Sequence, residues 1–442
     1  MCRCRDTEAP ACGRCPAAGV GGPVALLLAF AVLLFVAVLF SGLANRTVLS
    51  TAVLFLLAGF VLGDGVTGVL TFEPGDEIVV GLAELALFSV LYTDGMRVGF
   101  SDLRNAWRLP GRALVLGMPL TFAVTAVLAY YVAGLSWTQA MLVGAVLAPT
   151  DPVFASAIVG RAEVPGRLRS LLNVESGLND GLALPVVLVL LSVLSQDEVD
   201  YASLGGELAL GIAVGFALPA VAVLLIRSRF TSATPLYAAL GGLSIGLMVL
   251  GVAQLTHANL FLAAFTAGIT IASFAPDVEE SFSEFGELVT ELLKLAAILV
   301  FGALISPAFL GEIPLAGYLF AVLALVLARP LAIVVALARS PLPAAERAVA
   351  AWFGPKGFAS VVYGLLILDA GVPGADAMFH LVALVIFASI LAHSSTDVPI
   401  AHAFARAQAR RESEGPGAAG GDPLGVEPVT APPPGRPGTG DG

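Results

Sequence analysis

Stretches of nearly uninterrupted apolar residues, each close to the length of a bilayer-spanning helix, recur from one end of this chain to the other. They fall at about 23–43, 47–63, 77–96, 113–134, 138–160, 170–194, 204–226, 235–255, 259–275, 288–305, 314–338, 346–368 and 375–394. A hydrocarbon core about 30 Å thick takes about 20 helical residues to cross. Within it the chain must satisfy every backbone amide and carbonyl itself, which leaves only helices or closed barrels, and no two-residue alternation suggests barrel strands. Residues of the hydrophobic class make up 58% of the chain and charged residues 12%, too few charges to cover a water-exposed surface. Soluble domains carry about 25%. The fold class expected is an all-α polytopic membrane protein with about thirteen transmembrane helices. A net charge of −11 argues against a nucleic-acid partner, because phosphate binding needs a basic face.

Basic residues collect in cytoplasmic loops, and they sort sharply here. With the C-terminus inside, the odd-numbered loops hold Arg46, Arg97, Arg104, Arg108, Arg112, Arg161, Arg167, Arg169, Arg227, Arg229, Arg339 and Arg347, while the even-numbered loops hold none. Adding or removing one span would destroy this separation. The ninth loop, with Asp277, Glu279, Glu280 and Glu284, and the leader, with Arg3, Arg5 and Arg14, are the exceptions. Three regions are expected: an extracytoplasmic leader at 1–22, a transmembrane domain at 23–400, and a Gly/Pro-rich cytoplasmic tail at 401–442 that should be disordered. Cys2, Cys4, Cys12 and Cys15 all lie in the leader. Their spacing could suit zinc, but an unstructured leader explains them as well.

A charge at the bilayer centre costs about 2.5–3.5 kcal/mol on insertion scales, so each one calls for a reason. Glu84, Asp94, Asp151, Glu175, Asp180, Lys294, Arg329 and Lys356 fall within the apolar runs. Pro149 and Pro152 flank Asp151 in the fifth run, and proline removes a donor and clashes with the preceding turn. The twelfth run is interrupted likewise by Gly354-Pro355-Lys356-Gly357. The twelfth run lies seven after the fifth, an odd offset, so the two halves would be inverted repeats with two broken helices (5 and 12) crossing at the midplane. Asp151 would then offset the amide ends and Lys356 the carbonyl ends. In the sixth run, Glu175 and Asn179, and likewise Ser176 and Asp180, lie four apart and share helix faces. Asp180 and Ser176 offer hard oxygens suited to an alkali cation, and Arg329 is the available partner for Glu175. Lys294, about two turns from a helix end, should snorkel, with Glu291 as its neighbour. The four histidines lie near helix ends and have no ligand spacing.

Together, Tyr92-Thr93-Asp94-Gly95, Thr150-Asp151-Pro152, Glu175-Ser176-x-x-Asn179-Asp180, Arg329-Pro330 and Gly354-Pro355-Lys356-Gly357 resemble the monovalent cation/proton antiporters of the NhaP-like sodium/proton exchanger branch. The resemblance implies that Asp180 is the ion- and proton-binding carboxylate, and that Asp151, Thr150, Ser176 and Asp94 help form the cation site. Asn179, Glu175 and Arg329 would form a supporting polar cluster. The transported Na⁺ would sit between Asp180 and Asp151. Asp94 stands where the family commonly has Glu, and Lys356 where it commonly has Arg. Asn179, where electrogenic members tend to carry a second acid, implies electroneutral exchange. A homodimer in the plasma membrane is also implied.

The expected activity is exchange of Na⁺, with Li⁺ as a further substrate, for H⁺ by alternating access at a buried carboxylate. Desolvation makes the bare anion the costly state, so proton and cation compete for one acid. The chain is read as a secondary transporter and not an enzyme. An intramembrane aspartyl protease would need a Gly-x-Gly-Asp signature that is missing. A K⁺/H⁺ antiporter is the main alternative, and an ion channel or non-transporting sensor on the same scaffold a lesser one. No organic cofactor is implied, and no phosphate loop or ATP-binding domain is present. The topology predicts that a membrane-impermeant maleimide added to intact cells labels the leader cysteines, whereas a single cysteine introduced in the tail of a cysteine-free variant reacts only after permeabilisation.

Overall fold

The computed structural model of the protein describes residues 22–44, 51–64, 66–97, 109–151, 158, 164–195, 201–226 and 235–413. Among the described residues all regular structure is helical. In chain order the helices are α1 (Gly22–Ala44), α2 (Thr51–Leu62), α3 (Glu77–Met96), α4 (Pro110–Tyr131), α5 (Trp137–Val146), α6 (Gly166–Leu194), α7 (Tyr201–Ile226), α8 (Pro235–Thr256), α9 (Leu260–Phe274) and α10 (Pro276–Leu304). A short helix, Pro307–Glu312, leads to α11 (Leu315–Ala336); α12 comes in two halves, α12a (Ala344–Trp352) and α12b (Phe358–Asp369), and α13 (Ala375–Ser413) is the last of the described helices. Seven of the described helices are long and apolar enough to cross a membrane, and five shorter ones are apolar. The leader (1–21), the tail beyond Ser413, and most of the run after Asp151 lie outside the described residues.

Two boundaries differ from those read in the sequence. The acidic ninth loop is helix: α10 starts at Pro276, directly after Ala275 closes α9. Its first turns are amphipathic, with Val278, Phe282, Gly286, Thr290 and Lys294 buried at a spacing of four. Counting apolar residues missed this stretch because its exposed face is charged, whereas a single helical stripe suffices for packing. The second difference is α13, which runs to Ser413, past the expected end of the membrane domain at 400. Ala and Arg dominate that extension, and both are good helix formers.

Two further helices carry a device that the apolar pattern concealed. Within α4, Ala113–Gly117 forms a π-helical turn; within α11, Ala324–Ala328 does the same. The sequences are ALVLGMPL from Ala113 and ALVLARPL from Ala324. In each, a proline (Pro119, Pro330) lacks the donor for a carbonyl four residues back, and a π turn absorbs the mismatch. The two π turns pack reciprocally, each against the other's helix.

Contacts divide the helices into two groups. In one, α2 and α3 pack on α10, α3 packs on α9, and α7 and α8 join them. In the other, α4 packs on α5 and α11, α5 on α6, α11 on α12a, and α12b on α13. Fewer contacts bridge the groups, chiefly α3 and α9 against α6 and α3 against α12b. The candidate residues lie along that seam.

Candidate functional site at the helix breaks

Helix α12 stops at Trp352 and resumes at Phe358, and the five residues between are non-helical. Helix α5 ends at Val146, and 147–151 likewise leave the helix. The two non-helical strands of chain meet: the Asp151 amide donates to the Pro355 carbonyl at 2.9 Å. Each break leaves helix ends without intrahelical partners, and in a low-dielectric interior these ends must be paired. The Asp151 carboxylate accepts from the Phe358 amide at 3.3 Å, placing a negative charge at the N-terminus of α12b. Ser360 Oγ donates to the Val146 carbonyl at the end of α5, at 2.7 Å. Gly357 is required for this approach, since a Cβ there would run into the Asp151 side chain.

The carbonyl end of α12a is served by α11 and α13. Arg329 Nη2 donates to the Phe353 carbonyl at 3.1 Å and to that of Ala350 at 3.4 Å. Nε2 of His393 meets the Trp352 carbonyl at 3.0 Å. The guanidinium also grips Glu175 in a two-pronged pair, Nη1 to Oε1 at 2.6 Å and Nη2 to Oε2 at 3.0 Å, with both side chains buried. The pairing of Glu175 with Arg329 is thus as the sequence suggested. The post expected for Lys356 is filled differently. Its Nζ is buried and makes no hydrogen bond among the described residues, while Arg329 occupies the carbonyl end. A planar fork can hold a carboxylate and two carbonyls at once, which a point-like ammonium cannot. Lys356 instead anchors the break by its backbone, the amide donating to Ser389 Oγ at 2.8 Å.

Thr150, Ser176 and Asn179 form a buried hydroxyl and amide cluster. Thr150 Oγ1 lies 3.2 Å from Ser176 Oγ and accepts from Asn179 Nδ2 at 2.8 Å. Asp180, one residue along α6, is buried, and among the described residues its carboxylate has no hydrogen bond or ion pair. Only its backbone carbonyl is engaged, by the Tyr363 hydroxyl of α12b at 2.8 Å. Asp151, Asp94 and Lys294 lie within electrostatic reach of Asp180.

Asp94 sits at the last turn of α3, where Arg97 donates to it at 3.1 Å and bridges on to Glu287 of α10 at 2.9 Å. A cavity of about 340 Å³ opens here, lined by Asp94, Arg97, Asp151, Glu287, Glu291 and Lys294 among others. It reaches Asp151 but not Asp180, Thr150 or Ser176, which lie outside its lining. Lys294 does not snorkel: it is only 7% exposed and faces the cavity, with Glu291 Oε2 at 3.5 Å. Because α10 starts about three turns earlier than its apolar run indicates, Lys294 is deeper in the helix than the sequence suggested.

Residues 30–402 match the family described as "Sodium/hydrogen exchanger, transmembrane". The chain belongs to the transmembrane sodium/hydrogen exchanger family. It is a multi-pass membrane protein. It is 27% identical over 376 residues to the "K(+)/H(+) antiporter NhaP2" of Shewanella sp. strain ANA-3, covering 83% of this chain and 64% of that protein. It is 25% identical over 381 residues to the "K(+)/H(+) antiporter NhaP" of Alkalimonas amylolytica, covering 85% and 66%. The chain thus spans about two thirds of the length of the curated relatives it matches. Its fold is that of the sodium proton antiporter MjNhaP1 from Methanocaldococcus jannaschii, with a TM-score of 0.70 at 20% identity over 85% of this chain and 97% of that one.

Several residues of this candidate site gave little signal in the sequence. Tyr363, Ser360 and Ser389 are single polar residues in apolar stretches, a pattern that does not separate hydrogen bonding across the seam from packing. His393, expected near a helix end, is buried mid-helix because α13 runs on to Ser413. Glu346 pairs with Arg167 through two bonds of 2.7 Å, tying α12a to α6. Glu175→Gln should lower stability by about 3–5 kcal/mol by leaving the buried guanidinium uncompensated, read as a drop in the thermal midpoint in detergent. Gly357→Ala, in contrast, should fold but lose transport, because the added methyl separates the two breaks. Normal exchange rates in that variant would show that the approach is not required.

Proposed function

We propose that this chain is a secondary active antiporter that exchanges a monovalent cation for a proton across the plasma membrane. The observation that supports this most directly is Asp180, a buried carboxylate without a hydrogen-bonding partner among the described residues, on the seam between two helix groups. A bare carboxylate there is costly. Protonation or a bound alkali cation relieves that cost, and one site cannot hold both. Thr150 and Ser176 hydroxyls and the Asp151 carboxylate supply further hard oxygens within the same cluster.

In this reading about thirteen helices cross the bilayer, with the N-terminus outside and the C-terminus in the cytoplasm. The two halves are inverted repeats. The paired π turns of α4 and α11, built on related octapeptides seven helices apart, support that symmetry. Alternating access comes from one helix group moving against the other, the sparse contacts at the seam permitting it. The 340 Å³ cavity at the C-terminal end of α3, the cytoplasmic end in this reading, reaches Asp151, and Asp180 is not part of its lining. Asn179 adds no second acid beside Asp180, so exchange is one for one and electroneutral. A homodimer is part of the same proposal.

Sodium, with lithium, is the cation expected from the sequence motifs. The K(+)/H(+) names of relatives matching more than four fifths of the chain support potassium as a second reading. In vesicles with an imposed pH gradient, wild-type protein should dissipate the gradient on addition of one or more of sodium, lithium and potassium, and the panel identifies which. Asp180→Asn should abolish the response to every cation; retained exchange refutes the assignment. An imposed membrane voltage should leave the steady-state exchange ratio unchanged, and a ratio that tracks voltage would reject one-for-one exchange.

A further inference from the structure

In the sequence Arg97 is one of the basic residues that mark a cytoplasmic loop, and the structure gives it particular neighbours. It caps the C-terminus of α3, where its backbone amide donates to the Thr93 and Asp94 carbonyls and its charge suits the carbonyl end of the helix. Asp94, three residues back, shares its helix face. Nη1 of Arg97 donates to Asp94 Oδ1 at 3.1 Å, and Nη2 reaches across to Glu287 Oε1 on α10 at 2.9 Å. One guanidinium thus spans from α3 to α10. All three side chains line the 340 Å³ cavity, together with Val90 and Thr290. Side-chain exposure falls along the bridge, from 56% at Glu287 and 51% at Arg97 to 12% at Asp94. The bridge therefore lies at the outer part of the cavity, and the guanidinium covers a nearly buried carboxylate.

We infer that Arg97 is a latch across the cytoplasmic mouth of the cavity: a tethered cation, held between Asp94 and Glu287, that an alkali cation entering from the cytoplasm must displace. This rests on the antiport reading and the topology proposed above, and assigns them a residue that controls access. Exposed ion pairs contribute little net stability and are screened by salt, which suits a contact that has to open in every cycle. Both acids belong to the helix group in which α3 packs on α10, so the latch opens by rotation of one side chain without movement of that group against the other. The fork matters as much as the charge. A guanidinium gives each carboxylate its own nitrogen, whereas an ammonium offers both a single point.

The test uses everted vesicles carrying the full-length chain, which turn the cytoplasmic mouth outward in the proposed topology. They are assayed with sodium, lithium or potassium, whichever the wild type exchanges. Arg97→Lys keeps the charge and Glu287→Gln removes an acid, yet each opens the latch. Both should therefore lower the apparent KM for the added cation about two- to fivefold, the range that exposed ion pairs are worth. A mouth that acts through its charge alone gives no change for Arg97→Lys and a raised KM for Glu287→Gln. Access is read separately at Val90→Cys, a buried position in the cavity lining, in a background lacking the four leader cysteines. An uncharged thiol reagent should modify that cysteine faster once Arg97→Lys or Glu287→Gln is added, an effect that a change of field alone does not produce. If Glu287→Gln fails to elute as a single species on size exclusion, Glu287→Ala replaces it with the same expected outcomes. An unchanged KM and labelling rate in Arg97→Lys, or a raised KM in Glu287→Gln, overturns the latch; with Asp180→Asn inactive in the same vesicles, the antiport reading then still stands. Continued exchange by Asp180→Asn overturns the antiport reading itself.

Discussion

Everything at the centre of this molecule follows from having to pair helix ends where no bulk water can do so. Interrupting α12 leaves carbonyls at the end of α12a and amides at the start of α12b, and each unsatisfied group in such a setting costs several kcal/mol. The amide end is met by Asp151 and the carbonyl end by Arg329 and His393. Those partners come from three other elements, the α5 break, α11 and α13, so the break acts as a clamp on the whole helix group. Arg329 is also committed to Glu175, which links the clamp directly to α6 and to the turn that carries Asp180.

That arrangement separates two kinds of buried charge. Glu175 and Arg329 are neutralised by each other and by backbone, and their worth lies in holding a shape; a pair of this kind contributes little net stability but is expensive to break. Asp180 is the opposite case. Its carboxylate is held in place by its helix and by Tyr363 on its own carbonyl, yet nothing among the described residues neutralises it directly. A rigid frame around one unsatisfied acid is what binding a small cation or a proton requires, since the site's own reorganisation is then small.

The seam between helix groups gives these charges a mechanical context. Asp94, Arg97 and Lys294 belong to the group built on α3 and α10, whereas Asp151, Ser176 and Asp180 belong to the other. The proposed movement of one group against the other would change the distances between these charges while leaving the bonds of the clamp at α12, which join α6, α11, α13 and the α5 break, within one group. The π turns of α4 and α11, packed against each other inside that second group, mark helices that are already off regular geometry.

Most element positions were legible before any coordinates, because bilayer thickness imposes a length on every apolar run and basic residues mark one side. The run at 77–96, for example, is α3 to the residue. The residues to suspect were also legible: a charge in lipid is too costly to be idle, so Asp180, Asp151, Glu175 and Arg329 stood out from composition alone. The sequence could not determine who pairs with whom. Lys356 and Arg329 are both buried cations near the same break, and only the packing of α11 against α12a brings the fork, rather than the ammonium, to the carbonyls. Likewise the start of α10 has no long apolar run, and the depth of Lys294 emerged only once its stripe of four-residue spacing was seen packed. Apolar length is a property of one segment facing lipid, whereas pairing depends on distances between segments, and those exist only in the folded bundle.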